Sequence, residues 1–396
     1  MVSSRRRPAT LTSLPVAVML ADHYEVIMTN VRHALHAIAA CLAASIASAQ
    51  PRPGTTSPPS WNAAAAAAYL DGREAWWLTW PTASRDHNTS CISCHTALPY
   101  ALARPALRAA LTEQTPPEPE RRLVENVVKR VQLWRDVDPF YPDQTRGLPK
   151  TSESRGTEAV LNAVILAGRD ARSGTLTPDA RQAFDNLWSL QFRGGELKGA
   201  WAWLNFHNEP WEGNGSAYFG AALAAIAVGT APGEYSASPD VQDRLTLLRG
   251  YLQRGADTVS LFNRMMALWA SGGIQNILTK EQRQSIVDAA FAKQQSDGGW
   301  STSTLGPWAR ADGTSLDAAS DGFATGLAAL ALQRAGVSRT DLRLQRGLDW
   351  LAQHQDATTG AWFASSVNKK RDPATDVGKF MIDAATAFAI LALTQP

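Results

Sequence analysis

From Trp61 to the C-terminus two kinds of apolar pattern alternate, and almost no stretch shows the period-two alternation of a strand. The first kind is amphipathic and mixed: Arg121–Trp134, Ala180–Leu190, Val241–Leu252, Glu281–Lys293 and Leu342–Gln353. The second is nearly all apolar and rich in Ala: Thr157–Leu166, Ser216–Val228, Thr258–Ala270, Gly322–Ala335 and Ala384–Leu393. A helix that is apolar all round must be buried on most sides. Five such alternations in sequence predict a repeat of helical hairpins, with an irregular sixth from Ala63–Leu70 and the segment near Tyr100–Leu111. The pattern suits two concentric layers, amphipathic helices outside and apolar helices enclosed. The fold class is therefore all-α. Gly168, Gly229, Gly272 and Gly336 stand where left-handed caps would end apolar helices. Asp257, Asp321 and Asp383 stand where side chains would cap helix starts.

The loops carry a second repeat. Gln294 leads through Ser296-Asp297-Gly298-Gly299 to Trp300; Gln355 leads through Asp356 and Gly360-Ala361 to Trp362; Gln191 leads to Gly199-Ala200-Trp201 in a looser copy. Gly permits the tight turn, Trp packs on the neighbouring hairpin while its N–H finds an acceptor, and Gln can bond nearby helix ends. These elements resemble the QW motifs of the terpenoid cyclase and protein prenyltransferase α/α toroids, over roughly residues 120–396. The resemblance implies an (α/α) toroid or barrel of five to six hairpins. A second stretch comprises Trp76-Trp77, Trp80-Pro81, Arg85-Asp86-His87 and Cys91-Ile92-Ser93-Cys94-His95-Thr96-Ala97-Leu98-Pro99-Tyr100. It is similar to bacterial squalene-cyclase-like toroid proteins that bear a C-x-x-C-H near their start.

That C-x-x-C-H changes the picture most. It is the pattern of covalent haem c attachment: Cys91 and Cys94 can form thioethers to the porphyrin vinyls, and His95 can ligate the iron as the proximal ligand. The chain has three cysteines, and the third, Cys41, falls in an apolar N-terminal run. Other readings of the pair are a structural disulfide, a thioredoxin-like redox pair and half a zinc site. The thioredoxin motif wants a βαβ context, and zinc wants a second ligand pair; the sequence has neither signal.

The N-terminus supports export. Arg32 and His33 precede an apolar run, Ala34–Ile46, and Ala47-Ser48-Ala49 has the form of a signal peptidase site. Translation from Met28 would give this signal ordinary proportions, and a lipoprotein reading at Cys41 is weaker because the apolar run continues past it. Residues 1–49 thus read as a signal region, 50–60 as a linker, 61–118 as a haem c attachment segment packed on the toroid, and 119–396 as the toroid. After residue 50 nothing reaches the roughly 18 consecutive apolar residues of a membrane span. The expected location is periplasmic or secreted. Of 396 residues 45% are hydrophobic, which predicts a sizeable core, and a net charge of +2 argues against nucleic acid as a partner.

The remaining candidates concern what a haem would do. His207 lies in an aromatic loop, Trp201–Trp211, and is the first choice for a distal ligand; the alternatives are five-coordinate iron or a methionine among Met265, Met266 and Met381. Trp76, Trp77, Trp80 and Trp211 are candidates for a pocket wall, and Arg146, Lys150 and Arg155 for holding haem propionates. Glu158 reads as favoured by the dipole of a helix start. Cyclases of the resembled family protonate an alkene with an aspartic acid of an Asp-x-Asp-Asp segment; Asp317 and Asp321 are the nearest match, without the adjacent acidic pair. The sequence therefore predicts a redox or electron-transfer protein with one covalent haem c, served by a redox partner protein or oxidising a small apolar molecule. An isoprenoid cyclase with accessory haem and a haem-based gas or ligand sensor are the alternatives.

Overall fold

The alternating apolar pattern folds into helices throughout. The computed structural model describes residues 60–395, and thirteen α-helices with one pair of two-residue strands carry these described residues. The described residues belong to one unit, Pro58–Pro396. The signal region, Cys41, and all of the linker before Ser60 lie outside the described residues.

In chain order the elements are α1 Ala63–Thr79, β1 Ser84–Arg85, β2 Thr89–Ser90, α2 Ala97–Ala110, α3 Glu118–Gln132, α4 Asp143–Arg146, α5 Lys150–Ala171 and α6 Pro178–Ser189. Then follow α7 Ser216–Thr230, α8 Pro239–Gly255, α9 Leu261–Ala270, α10 Lys280–Ala292, α11 Gly322–Arg334, α12 Leu342–Gln353 and α13 Phe380–Leu393. The strands pair antiparallel, Ser84 opposite Ser90 and Arg85 opposite Thr89.

The apolar helices pack on one another in a cyclic order. Helix α2 lies on α5, α5 on α7, α7 on α9, α9 on α11, α11 on α13, and α13 on α2 again. The amphipathic helices lie against them: α1 on α2 and α13, α3 and α6 on α5, α8 on α7, α10 on α9, and α12 on α11 and α13. Residues 61–118 supply α1 and α2 to that order. Burial follows the pattern. In α7 every residue from Tyr218 to Val228 is buried, whereas α10 buries only Ile286 and Ala290.

Three loops share one set of bonds. The side-chain amides of Gln191, Gln294 and Gln355 donate to the carbonyls of Gly199, Gly298 and Gly360 at 3.1, 2.7 and 2.8 Å. Each also donates to a carbonyl near the start of the next outer helix: Arg244, Arg343 and Asn62. The indole N–H of Trp201, Trp300 and Trp362 donates to Leu187, Ala290 and Leu351 of the preceding helix at 2.6, 2.7 and 2.7 Å. The three glycines have φ of 102°, 95° and 77°, a region that favours residues without a Cβ. The Gln355–Asn62 bonds join the last such loop to the start of α1.

Several helix ends differ from the expected ones. Helix α5 begins at Lys150, well before Thr157, so Glu158 lies inside the helix. It is not at a dipole end; it is fully buried and paired with Arg130, whose guanidinium donates at 2.5 and 3.1 Å. Helix α9 is capped by Ser260 rather than Asp257. Helix α13 begins at Phe380, which puts Asp383 in its first turn as a buried group and not a cap. Asp321 does cap α11, accepting from Ala324 N at 2.9 Å. Of the four glycines, Gly336 has the positive φ of a left-handed cap, 88°. Gly168 and Gly229 continue their helices, and left-handed Gly174 and Gly233 follow instead; Gly272 sits in a turn without positive φ.

Candidate functional site around Cys91, Cys94 and His95

The motif spans the joint between the strand pair and α2. Cys91 N donates to Ala83 O at 2.8 Å, and the Trp77 indole N–H donates to Cys91 O at 2.8 Å. One step upstream, Asn126 of α3 clamps Ser90 through both its N–H and its C=O. The Ser93 hydroxyl accepts from Thr96 N and Ala97 N at 3.2 and 3.0 Å, satisfying free donors at the start of α2. One backbone bond and the side chains of Trp77, Asn126 and Ser93 thereby fix the path from Ser90 to the start of α2.

Both thiols are free and buried. Burial pushes Cys91 up to about 11, partly eased by Arg85, and pushes Cys94 well above the usual thiol value, with Glu212 adding to it. At neutral pH both are neutral thiols, unlike the lowered-pKa cysteines of redox-exchange sites. The Tyr141 phenol sits against Cys91.

His95 lies among aromatic rings. Its imidazole stacks on Phe380 with centroids 3.7 Å apart and stands edge-on to Trp77 at 5.1 Å. Burial, with the charges of Arg73 and Arg371, lowers it to about 3, so the ring is neutral at pH 7. Its tautomer follows from the next residue. Thr96 Oγ1 donates its only proton to Asp383 Oδ2 at 2.7 Å and can only accept from His95 Nδ1 at 2.9 Å. His95 therefore carries its proton on Nδ1 and leaves Nε2 as a bare lone pair.

Asp383 is held in turn. Its carboxylate accepts from Arg73 Nε and Nη2 at 2.7 and 3.1 Å and from the Tyr69 hydroxyl at 2.8 Å, besides Thr96. Burial raises its pKa from the ordinary aspartate value, and these donors oppose the rise. Four donor atoms converge on its two oxygens, which fits the anion.

His95 and Cys94 open onto a cavity of about 120 Å³, walled also by Asn208, Trp211, Glu212, Arg371 and Met381. The cavity has two acids on its wall, Glu209 and Glu212; burial raises both, Glu212 to about 7 against the pull of Lys150. Burial lowers Arg371, and no carboxylate pairs with it among the described residues. The wall formed by the loop before α7 is tied to the loop before α13 by two bonds between Glu209 and the Asn368 amide, 2.8 and 2.6 Å.

The other candidates are placed as follows. His207 is exposed, with φ 56° and its N–H bonded to Asn205; its loop reaches the cavity through Asn208, Glu209, Trp211 and Glu212 instead. Met381 lines the cavity, while Met265 and Met266 are buried in α9. Trp77 and Trp211 flank His95, and Trp76 stacks on Trp80. Lys150 pairs with Glu153 at 2.5 Å and donates to Asn205 O; Arg155 bonds to Val137 O and lies over Trp134; Arg146 lies over Tyr141. Asp317 is 60% exposed and paired with Arg310 at 2.9 Å; a hydrogen bond with Ser365 and then Arg310 hold its carboxyl below the usual aspartate value. Asp321 is buried and raised to about 6, but it accepts from Thr302 N, Thr302 Oγ1 and Ala324 N. Neither aspartate has the environment of an acid aimed at an apolar substrate.

Thr96, Glu212 and Arg371 had no role in the sequence analysis, and Asp383 was read there only as a helix cap. Asp383 left one signal, a lone carboxylate near the start of an apolar helix, which needs a partner wherever it is buried.

The chain matches no known protein-family model and no curated protein. Among the described residues, no group of three or more His, Cys, Asp or Glu side chains gathers around a common metal position. No described helix is long and apolar enough to cross a membrane.

The residues fit haem c in their donor chemistry: two free thiols at the attachment spacing and an imidazole with its Nε2 bare. The room is small. A cavity of about 120 Å³ is below the roughly 300 Å³ at which drug-sized ligand pockets begin. A porphyrin would need the walls to part, and the Glu209–Asn368 bonds tie one wall in place.

Proposed function

We propose that the protein is an exported c-type haem protein, periplasmic or secreted, that serves electron transfer or the haem-dependent oxidation of a small apolar molecule. The observation that carries this reading is the state of His95 beside two free thiols. A ligating imidazole donates its other N–H to a neighbour, which fixes ring orientation and tautomer, and Thr96 receives that N–H here. A bound haem c would supply one-electron redox chemistry or a coordination position for a small ligand.

The chain's own residues would act as follows. Cys91 and Cys94 would hold a haem c through thioethers, and His95 would offer Nε2 to its iron. Trp77, Trp211 and Phe380 exclude water from that side. Arg371, without a carboxylate partner among the described residues, suits a propionate better than Arg146, Lys150 or Arg155, which are engaged elsewhere. Met381, on the same cavity wall as His95, would be a better placed second iron ligand than the exposed His207.

The finer reading of the fold is an α/α toroid of six hairpins related to the terpenoid cyclase group. The cyclic packing of α2, α5, α7, α9, α11 and α13 supports it, as do the shared Gln, Gly and Trp bonds of three loops. The cyclase-type and ligand-sensor alternatives draw no comparable observation.

The test is a pyridine haemochrome spectrum of full-length protein exported with a haem c maturation system, after acid–acetone extraction. A c-type α-band retained by the polypeptide is the expected result. Wild-type protein that retains no haem refutes the reading and leaves Cys91 and Cys94 as a buried thiol pair.

A further inference from the structure

The chain His95–Thr96–Asp383 joins groups that are 287 residues apart at the carboxylate step, Thr96 Oγ1 to Asp383 Oδ2. It is more than a staple between α2 and α13. A threonine hydroxyl has one proton, and here the carboxylate takes it, so the oxygen is left as a pure acceptor for the imidazole N–H. Charge-assisted hydrogen bonds are stronger than neutral ones, and each bond in such a chain polarises the next. The effect at the far end is an imidazole with electron density pushed towards Nε2.

The surroundings keep the anion in place. The Asp383 side chain is 1% exposed, and Arg73, at 7%, binds it together with Asp376, so two carboxylates share one guanidinium. The Tyr69 hydroxyl also donates to Asp383. With the Arg73 N–H groups, Tyr69 and Thr96 all donating, Asp383 has no need of a proton of its own.

We propose that Asp383, acting through the Thr96 hydroxyl, is a positioning residue that holds His95 in its Nδ1–H form and makes Nε2 an electron-rich iron ligand, lowering the reduction potential of the haem site. A more basic ligand stabilises ferric over ferrous iron. The part concerning potential rests on the haem reading; the part concerning the tautomer does not.

Two measurements separate them. In haem-free full-length protein, ¹⁵N NMR of the histidine side chains reads the His95 tautomer directly. Nδ1–H is expected in the wild type and in Thr96→Ser, with the preference lost in Thr96→Val. An Nε2–H tautomer in the wild type overturns the proposal whether or not haem binds. In haem-loaded protein, the midpoint potential is titrated with dithionite as one-electron donor through mediators, and haem content is checked by haemochrome. Thr96→Val is expected to raise the ferrous-to-ferric ratio at a fixed ambient potential about tenfold, which is 59 mV for one electron. Thr96→Ser is expected to stay within about twofold of wild type by that same relation. A purely structural staple would lower stability and leave the potential alone. An unchanged potential in Thr96→Val with full haem content therefore overturns the proposal. Failure of the wild type to take up haem overturns the functional reading and leaves the NMR result to decide the tautomer.

Discussion

Replacing Glu212 with Gln should change how stability depends on pH, by an amount set by the cavity wall. The Glu212 carboxyl is raised from an ordinary 4.5 to about 7 because burial disfavours its charged form, and Lys150 only partly offsets this. A raised folded-state value means that the folded protein holds the proton longer than the unfolded chain. Between about pH 4.5 and 7 the unfolded chain has released its proton and the folded one has not, so stability falls as pH rises through this window. The gap, at 1.36 kcal/mol per pH unit, corresponds to about 3 kcal/mol; some contact with solvent in the cavity reduces it to about 2. Gln keeps the shape and removes the charge. Glu212→Gln should match wild type within about 1 kcal/mol at pH 4 and exceed it by about 2 kcal/mol at pH 8.5. Urea unfolding of haem-free protein at the two pH values measures this, provided the m-values agree. A difference between variant and wild type that is the same at both pH values would refute the reasoning, because it would assign the effect to packing and not to a proton.

Three further outcomes follow from the packing. Trp300, fully buried and bonded to Ala290 O, should cost about 3–5 kcal/mol as Trp300→Ala in denaturant unfolding. Glu158→Gln removes the closer charge partner of the fully buried Arg130, leaving only Asp86 at 3.8 Å, and should cost about 3 kcal/mol; Arg130 also bonds Thr89, two residues before Cys91, so amide exchange around Cys91 should rise with it. Asn368→Ala removes both bonds to Glu209 and should speed amide exchange across residues 205–214 while leaving α11 protected, read by exchange mass spectrometry; unchanged exchange in that loop would show that something else holds the wall.

What the sequence made legible was what lies close together along it. The ten main helices showed themselves because a buried helix is apolar all round and its partner is not, a contrast that survives without any knowledge of neighbours. Their ends were less readable. Helix α5 extends back to Lys150 through Ser152, Glu153 and Arg155, polar residues that look like loop, and are satisfied by tertiary partners such as Asn205 O and Val137 O. Helix α13 starts at Phe380 for a similar reason: Asp383 resembles a cap until Arg73, Tyr69 and Thr96 are seen to surround it. The C-x-x-C-H motif was plain because its spacing is local. His207 was the natural distal choice, since it is the histidine of its loop; but the loop's path turns His207 outward, and the side chains facing His95 are Trp211 and Glu212. Periodicity cannot say which way an irregular loop faces.

The placement of the site within the packing order has a consequence of its own. Among the described residues, helices α1 and α2 come first and α13 last, yet α13 packs on both. The side chains that complete the His95 environment arrive from both ends: Trp77, Arg73 and Tyr69 from α1, and Phe380, Met381 and Asp383 from α13. The Gln355 amide and Asn62 close the same seam from outside. Contacts between chain ends carry the largest loop-closure cost and reward folding only after the intervening helices are in place. Cys91 and Cys94 need only local structure to be held, whereas the tautomer of His95 needs Asp383 and hence the closed seam. A chain ending before Phe380 should therefore keep Cys91 and Cys94 in place and lose the defined imidazole. The motif that is most local in sequence thus has its chemistry set by the most distant contact in the fold.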